Sequence, residues 1–99
     1  PVSRPVIAVL PFEVLAGSED DTGLNDMVAD SIINSLARYS EFDVIARQSS
    51  FRFRDADQDS REIGAALSAD FLVQGSQSLT DGGMRLSVQL VSRQRLWDF

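Results

Sequence analysis

Met84-Arg85-Leu86-Ser87-Val88-Gln89-Leu90 alternates apolar and polar residues without a break, and it follows the triplet Asp81-Gly82-Gly83. A period of two places Met84, Leu86, Val88 and Leu90 on one face of a strand, towards a core, and Arg85, Ser87 and Gln89 on the other, towards water. That is the pattern of an antiparallel strand with one solvated face. Glycines accept the positive φ of a tight hairpin, so the triplet predicts a turn back onto the apolar run Phe71 to Leu79. This hairpin anchors the reading of the rest.

Working outward, Leu96 to Phe99 looks like a further strand. At the other end, Val6 to Phe12 (VIAVLPF) is nearly continuous apolar sequence with β-branched residues, as expected of a central strand covered on both faces. Pro11 cannot donate to a ladder, so pairing should weaken there. Residues 13–23 carry loop chemistry. From Leu24 to Tyr39 the positions Asp26, Asp30, Asn34 and Arg38 recur at helical spacing, while Met27, Val28, Ile32, Ile33 and Leu36 fill the rest of the cylinder. A helix with so narrow a wet stripe suits packing on a sheet, and Thr22 is placed to cap it. Phe42 to Ala46 reads as a short strand and Arg47 to Gln58 as a polar connection. Asp59 with Glu62 three residues on is the signature of a capping box, opening a helix through Leu67. The predicted order is therefore β-α-β-α-β-β-β, an α/β (α+β) fold with a mixed sheet and two helices on one face.

The chain has 99 residues, with 43% hydrophobic and 24% charged, enough for one core and one domain, residues 1–99. It contains neither Cys nor His, which excludes disulfides, thiolate nucleophiles, serine triads and the usual zinc sites. All nine basic residues are Arg and the net charge is -6, so nucleic-acid binding by this segment is disfavoured. No apolar run approaches the ~20 residues of a membrane-spanning helix, so direct membrane insertion is not expected. The start at Pro1, without Met, reads as a fragment of a longer multidomain protein.

Few groups have chemistry to offer. Arg47, Arg52 and Arg54, interleaved with Phe51 and Phe53, form the single basic and aromatic cluster, which could hold an anion or a small ligand together with Ser49 and Ser50. Local ion pairing with Asp55, Asp57 and Asp59 is the competing reading. Those same three carboxylates begin like a calcium loop, but Ser60 and Ala66 stand where the turn glycine and the bidentate Glu belong. Neither serine has a base to activate it. Gly75, alone in a strand, marks a bulge, a ligand approach or a packing constraint. No phosphate-binding glycine loop is present, and no cofactor is expected.

The octapeptide Val44-Ile-Ala-Arg-Gln-Ser-Ser-Phe51 resembles the TolB amino-terminal-like domain, found in bacteria beside adenylate/guanylate cyclase domains, winged-helix regulators and tetratricopeptide repeats. The likeness extends to Ala8–Phe12 (AVLPF), Ile32–Arg38 (IINSLAR), Arg61-Glu62-Ile63-Gly64 with Leu67, Phe71–Ser76 (FLVQGS), and Arg85–Leu90 with Trp97. Where the family has Asp-Gly before its first helix, this chain has Asp26-Met27, so the helix should begin earlier. Only Val91 to Arg95 precede the Trp strand, a shortened hairpin or a place where a loop is missing. The resemblance implies a non-enzymatic accessory domain of a bacterial signalling protein, acting on neighbouring domains or a protein partner. It leaves a periplasmic and a cytoplasmic position both open, with the periplasmic one slightly favoured. A small-ligand or anion sensor, or a periplasmic envelope-protein interaction domain, is the alternative.

Overall fold

The computed structural model describes residues 4–15, 22–54, 57–80, 82–92 and 95–99, with backbone alone at 22–24, 79 and 80. The elements run β1 (Val6–Val9), β2 (Glu13–Val14), α1 (Thr22–Leu36), β3 (Asp43–Val44), α2 (Arg47–Phe51), α3 (Ser60–Leu67), β4 (Phe71–Thr80), β5 (Gly83–Ser92) and β6 (Leu96–Asp98). One mixed sheet has the order β3-β1-β4-β5-β6, with β2 also paired to β4. The β1–β3, β1–β4 and β2–β4 pairs are parallel and the β4–β5 and β5–β6 pairs antiparallel, so the fold class is the expected one.

The placement of both helices on one face is corrected. Successive residues of a strand point to opposite faces, and β1 divides accordingly: Ala8 and Leu10 pack with Ile63 and Leu67 of α3, whereas Val9 packs with Ala29 and Ile33 of α1. Leu72 and Val73 of β4 divide in the same way. Topology requires this. The step from β1 to β3 moves to one side of β1, and the step from β3 to β4 returns past β1 to the other side. Two right-handed crossovers of opposite sense put their helices on opposite faces. Sequence periodicity says that a helix is amphipathic and not which side of the sheet receives it.

Pro11 interrupts the first strand as expected, and the interruption re-aims a side chain. Ile7, Ala8 and Val9 pair with Phe71, Leu72 and Val73, but Glu13 pairs with Ser76. One extra residue has entered the β1–β2 side, a bulge that reverses the facing of everything after it. Leu10 thus faces α3, and Phe12, two residues on, lies buried on the α1 side. There its ring meets Gly75. A Cβ on Gly75 would stand 2.8 Å from Phe12 Cε2 and would collide with the Ser87 carbonyl oxygen, so the lone strand glycine is a packing constraint.

Capping chemistry explains α3. The Asp59 carboxylate accepts the Glu62 backbone N–H at 2.9 Å, and Ser68 closes the helix in the left-handed region at φ 53°. Helix α1 starts at Thr22, four residues before Asp26, earlier than its apolar periodicity alone begins. Its buried positions are Asn25, Ala29 and Ile33, whereas Met27 is 65% exposed. Helix α2 was not legible as a helix. Its single turn carries no side-chain N-cap, and Ser50 and Phe51 hold it by packing inward.

Thr80 pairs with Gly83 across the predicted turn, and Gly83 has φ +118°, a conformation open to glycine. Asp81 lies outside the described residues. The second reversal is also short: the Ser92 N–H donates to the Arg95 carbonyl at 2.8 Å. Arg93 and Gln94 lie outside the described residues.

Candidate functional site

Arg47, Ser49 and Ser50 sit in α2, and Arg52 and Arg54 in the turn that follows it. The structure brings the predicted cluster together as a segment and turns its charges in different directions. Arg47 Nη1 pairs with Asp30 at 3.2 Å, and Arg54 Nη2 donates to both carboxylate oxygens of Asp26 at 2.9 Å. Both partners belong to the wet stripe of α1. The Asp26 and Asp30 end of that stripe therefore docks the α2 segment, while Asn34 and Arg38 remain exposed. The Arg47 and Arg54 guanidiniums also lie 4.9 and 5.6 Å from the centre of the Phe51 ring. Each partly exposed ion pair contributes at most about 1 kcal/mol, so their role is to orient the segment.

Ser50 is fully buried, and its hydroxyl donates to the Arg47 carbonyl at 3.3 Å. Ser49 is half-buried, with its N–H donating to the Ala46 carbonyl. Arg52 is exposed and stacks 5.2 Å from the Phe53 ring centre. Of the carboxylates placed after this cluster in the sequence, Asp59 caps α3, and Asp55 lies outside the described residues. Among the described residues no three His, Cys, Asp or Glu side chains converge as a metal site would require. Among the described residues no helix is long and apolar enough to cross a membrane.

A different concavity exists where sequence reasoning did not place one. On the α3 side, beyond the N-terminus of that helix, a groove of about 740 Å³ runs between residues 10–14, residues 53–54 and 58–60, and the β4–β5 hairpin. Its floor is made by two cross-strand pairs, Gln74 opposite Gln89 and Ser76 opposite Ser87. Ser60 Oγ donates to Gln74 Oε1 at 2.6 Å, and Gln74 Nε2 donates to Gln89 Oε1 at 2.7 Å. The available signal was the run of uncharged polar residues on that face of both strands, which reads equally as an ordinary solvated face.

The opposite face of the hairpin is apolar. Met84, Leu86, Val88 and Leu90 share it, as the alternation requires, but only part of it is covered. Val88 packs into the α1 cluster and Leu90 is half-buried, while Met84 is 49% and Leu86 37% exposed. Strands of ten residues outrun a helix anchored on the four-residue β1. Buried Gln77 lies on this face and donates from Nε2 to Met84 Sδ at 2.7 Å.

The mixed sheet with α1 and α3 on its two faces and a projecting antiparallel hairpin is a TolB-like α/β fold. The C-terminal domain of LpoB from Escherichia coli superposes with a TM-score of 0.67 at 18% identity, over 98% of this chain and 80% of that one. TolB from Acinetobacter baumannii gives 0.63 at 19% identity, over 100% of this chain and 23% of that one. Residues 3–96 match the family described as the HilA/YgeH-like transcriptional regulator, second domain, and the chain belongs to that family. It is also 30% identical over 89 residues to "Putative adenylate cyclase 3" of Rhizobium meliloti (strain 1021). That match takes in 90% of this chain and spans only 15% of the length of that protein.

Proposed function

We propose that this chain is a non-catalytic regulatory domain of a longer bacterial signalling protein, acting by contact with neighbouring domains or a protein partner. The observation that carries the reading is its membership of a family defined as the second domain of a transcriptional regulator. Its likeness to a segment of a cyclase supports the idea that the same domain serves different output domains. The single domain of residues 1–99 would thus be one unit among several. Its working side is the outside of the cytoplasmic membrane, the position that the resemblance to TolB-like domains slightly favours.

The contact surface is the uncovered apolar end of β5, Met84 and Leu86. Burying such neighbouring apolar side chains against a partner protein removes them from water, which favours association. Substituting Met84→Asp together with Leu86→Asp in the full-length protein tests this. The regulated output should stop responding to its signal, while the melting temperature of the isolated domain stays within a few degrees. A response left intact by the double substitution overturns the assignment. Cyclase and phosphatase assays of the domain should show no turnover, and an activity that purifies with it through every step overturns the non-catalytic reading.

A further inference from the structure

The groove on the α3 side carries an inference independent of the contact surface above, so that failure of either leaves the other standing. Its volume of about 740 Å³ lies within the range of small-molecule sites. Its polar groups form a directed chain. The Ser60 hydroxyl donates to Gln74, whose amide nitrogen donates to Gln89, and the Gln89 amide nitrogen stands at the end with its two N–H groups engaged by no protein acceptor among the described residues. Hydrogen bonds in such a chain polarise one another, which strengthens the terminal donor. The Ser76 and Ser87 hydroxyls flank it, and Phe53, Pro11 and Ile63 contribute an apolar wall.

Charge selects the ligand. Arg54, a basic residue of the lining, is held by Asp26, so the groove offers no free cation to a phosphate or carboxylate. Asp59 in the lining is committed to the first turn of α3, and Glu13 adds a second carboxylate, both of which repel anions. Planar amides and hydroxyls beside an apolar wall match a molecule that presents many neutral oxygens on one side and C–H groups on the other. We propose that this groove binds a small uncharged sugar or polyol, with the Gln89 amide donating to a ligand oxygen and Gln74 holding Gln89 in place.

Side-chain amide signals of the ¹⁵N-labelled protein provide the test. The probes are neutral hexoses, N-acetylhexosamines and alditols, set against inorganic phosphate and glucuronate, each raised to tens of millimolar. A neutral sugar or polyol should shift the Gln74 and Gln89 amide signals together with backbone signals around Ser60 and Ser87, and the anions should not. Gln89→Glu keeps the acceptor that Gln74 uses and removes both free donors, so affinity should fall about tenfold with the backbone spectrum unchanged. Ser87→Ala, at an exposed position, gives a second reading should Gln89→Glu disturb the fold, and it too should weaken binding. Silence from every neutral probe, equal binding of the anions, or affinity untouched by both substitutions overturns the proposal.

Discussion

The base of the sheet and the far half of its hairpin are made from the same two strands and obey different rules. Around Leu72 and Val73, β4 is covered by α3 on one face and α1 on the other, and apolar residues occupy both. Along residues 84–87, β5 is exposed on both faces, and the chain alternates Met84 and Leu86 with Arg85 and Ser87. Cover on both faces abolishes alternation, which returns along β5 where one face of the strand runs on from the covered Val88 side and the other faces water. The base therefore holds the fold together, and the hairpin is free to carry surfaces for other molecules.

Truncating the core is expected to separate the two regions most. Leu72→Ala, at a position 2% exposed, should cost about 2–5 kcal/mol by equilibrium urea unfolding. A cost near zero would mean that the α3 face is not a packed layer. At the junction of the regions, Gly75→Ala forces a methyl group against the Phe12 ring and the Ser87 carbonyl. It should cost about 1–3 kcal/mol or more, and pairing the substitution with Phe12→Leu should recover part of the loss.

Smaller effects sharpen the contrast. Asp59→Ala removes the cap of α3 and should lower stability by about 1 kcal/mol, with hydrogen-exchange protection lost first at Glu62. Asn25 is 1% exposed in α1, and among the described residues neither its side-chain nitrogen nor its oxygen has a hydrogen-bond partner. Such a group bears its desolvation cost uncompensated, so Asn25→Leu should leave stability unchanged or raise it by about 1 kcal/mol. A large loss would show that this polar site is satisfied in solution. Leu86→Ser, on the overhang, should change stability by less than about 0.5 kcal/mol. If its cost matched that of Leu72→Ala, the distinction between base and overhang would fail.

Much of the fold was legible because it rests on local chemistry. The turn at Gly82-Gly83 and the Asp59 cap are each written within a few residues and lie where their chemistry puts them, whereas the alternation in residues 84–90 gave the strand but not its burial, since Val88 packs on the core while Met84 and Leu86 stay exposed. The candidate site was far less legible. Arg47 and Arg54 look like an anion cluster when read beside Phe51 and Phe53, but their carboxylates, Asp30 and Asp26, lie 17 and 28 residues away along the chain. The groove depends on the register that sets Gln74 against Gln89 and Ser76 against Ser87, which no local pattern encodes.

The sequence by itself determined the longer elements, though neither β2 nor α2, together with the identity of the hairpin and the lack of His and Cys chemistry, because these depend on residue type and on neighbours within a turn or two. Tertiary structure alone decided that α1 and α3 take opposite faces, that the bulge at Pro11 sends Phe12 onto Gly75, and that Arg47 and Arg54 pair with α1. Each of those outcomes is fixed by strand order and register, and strand order follows from the handedness of long crossovers, a property of the whole chain path that no short window of residues contains.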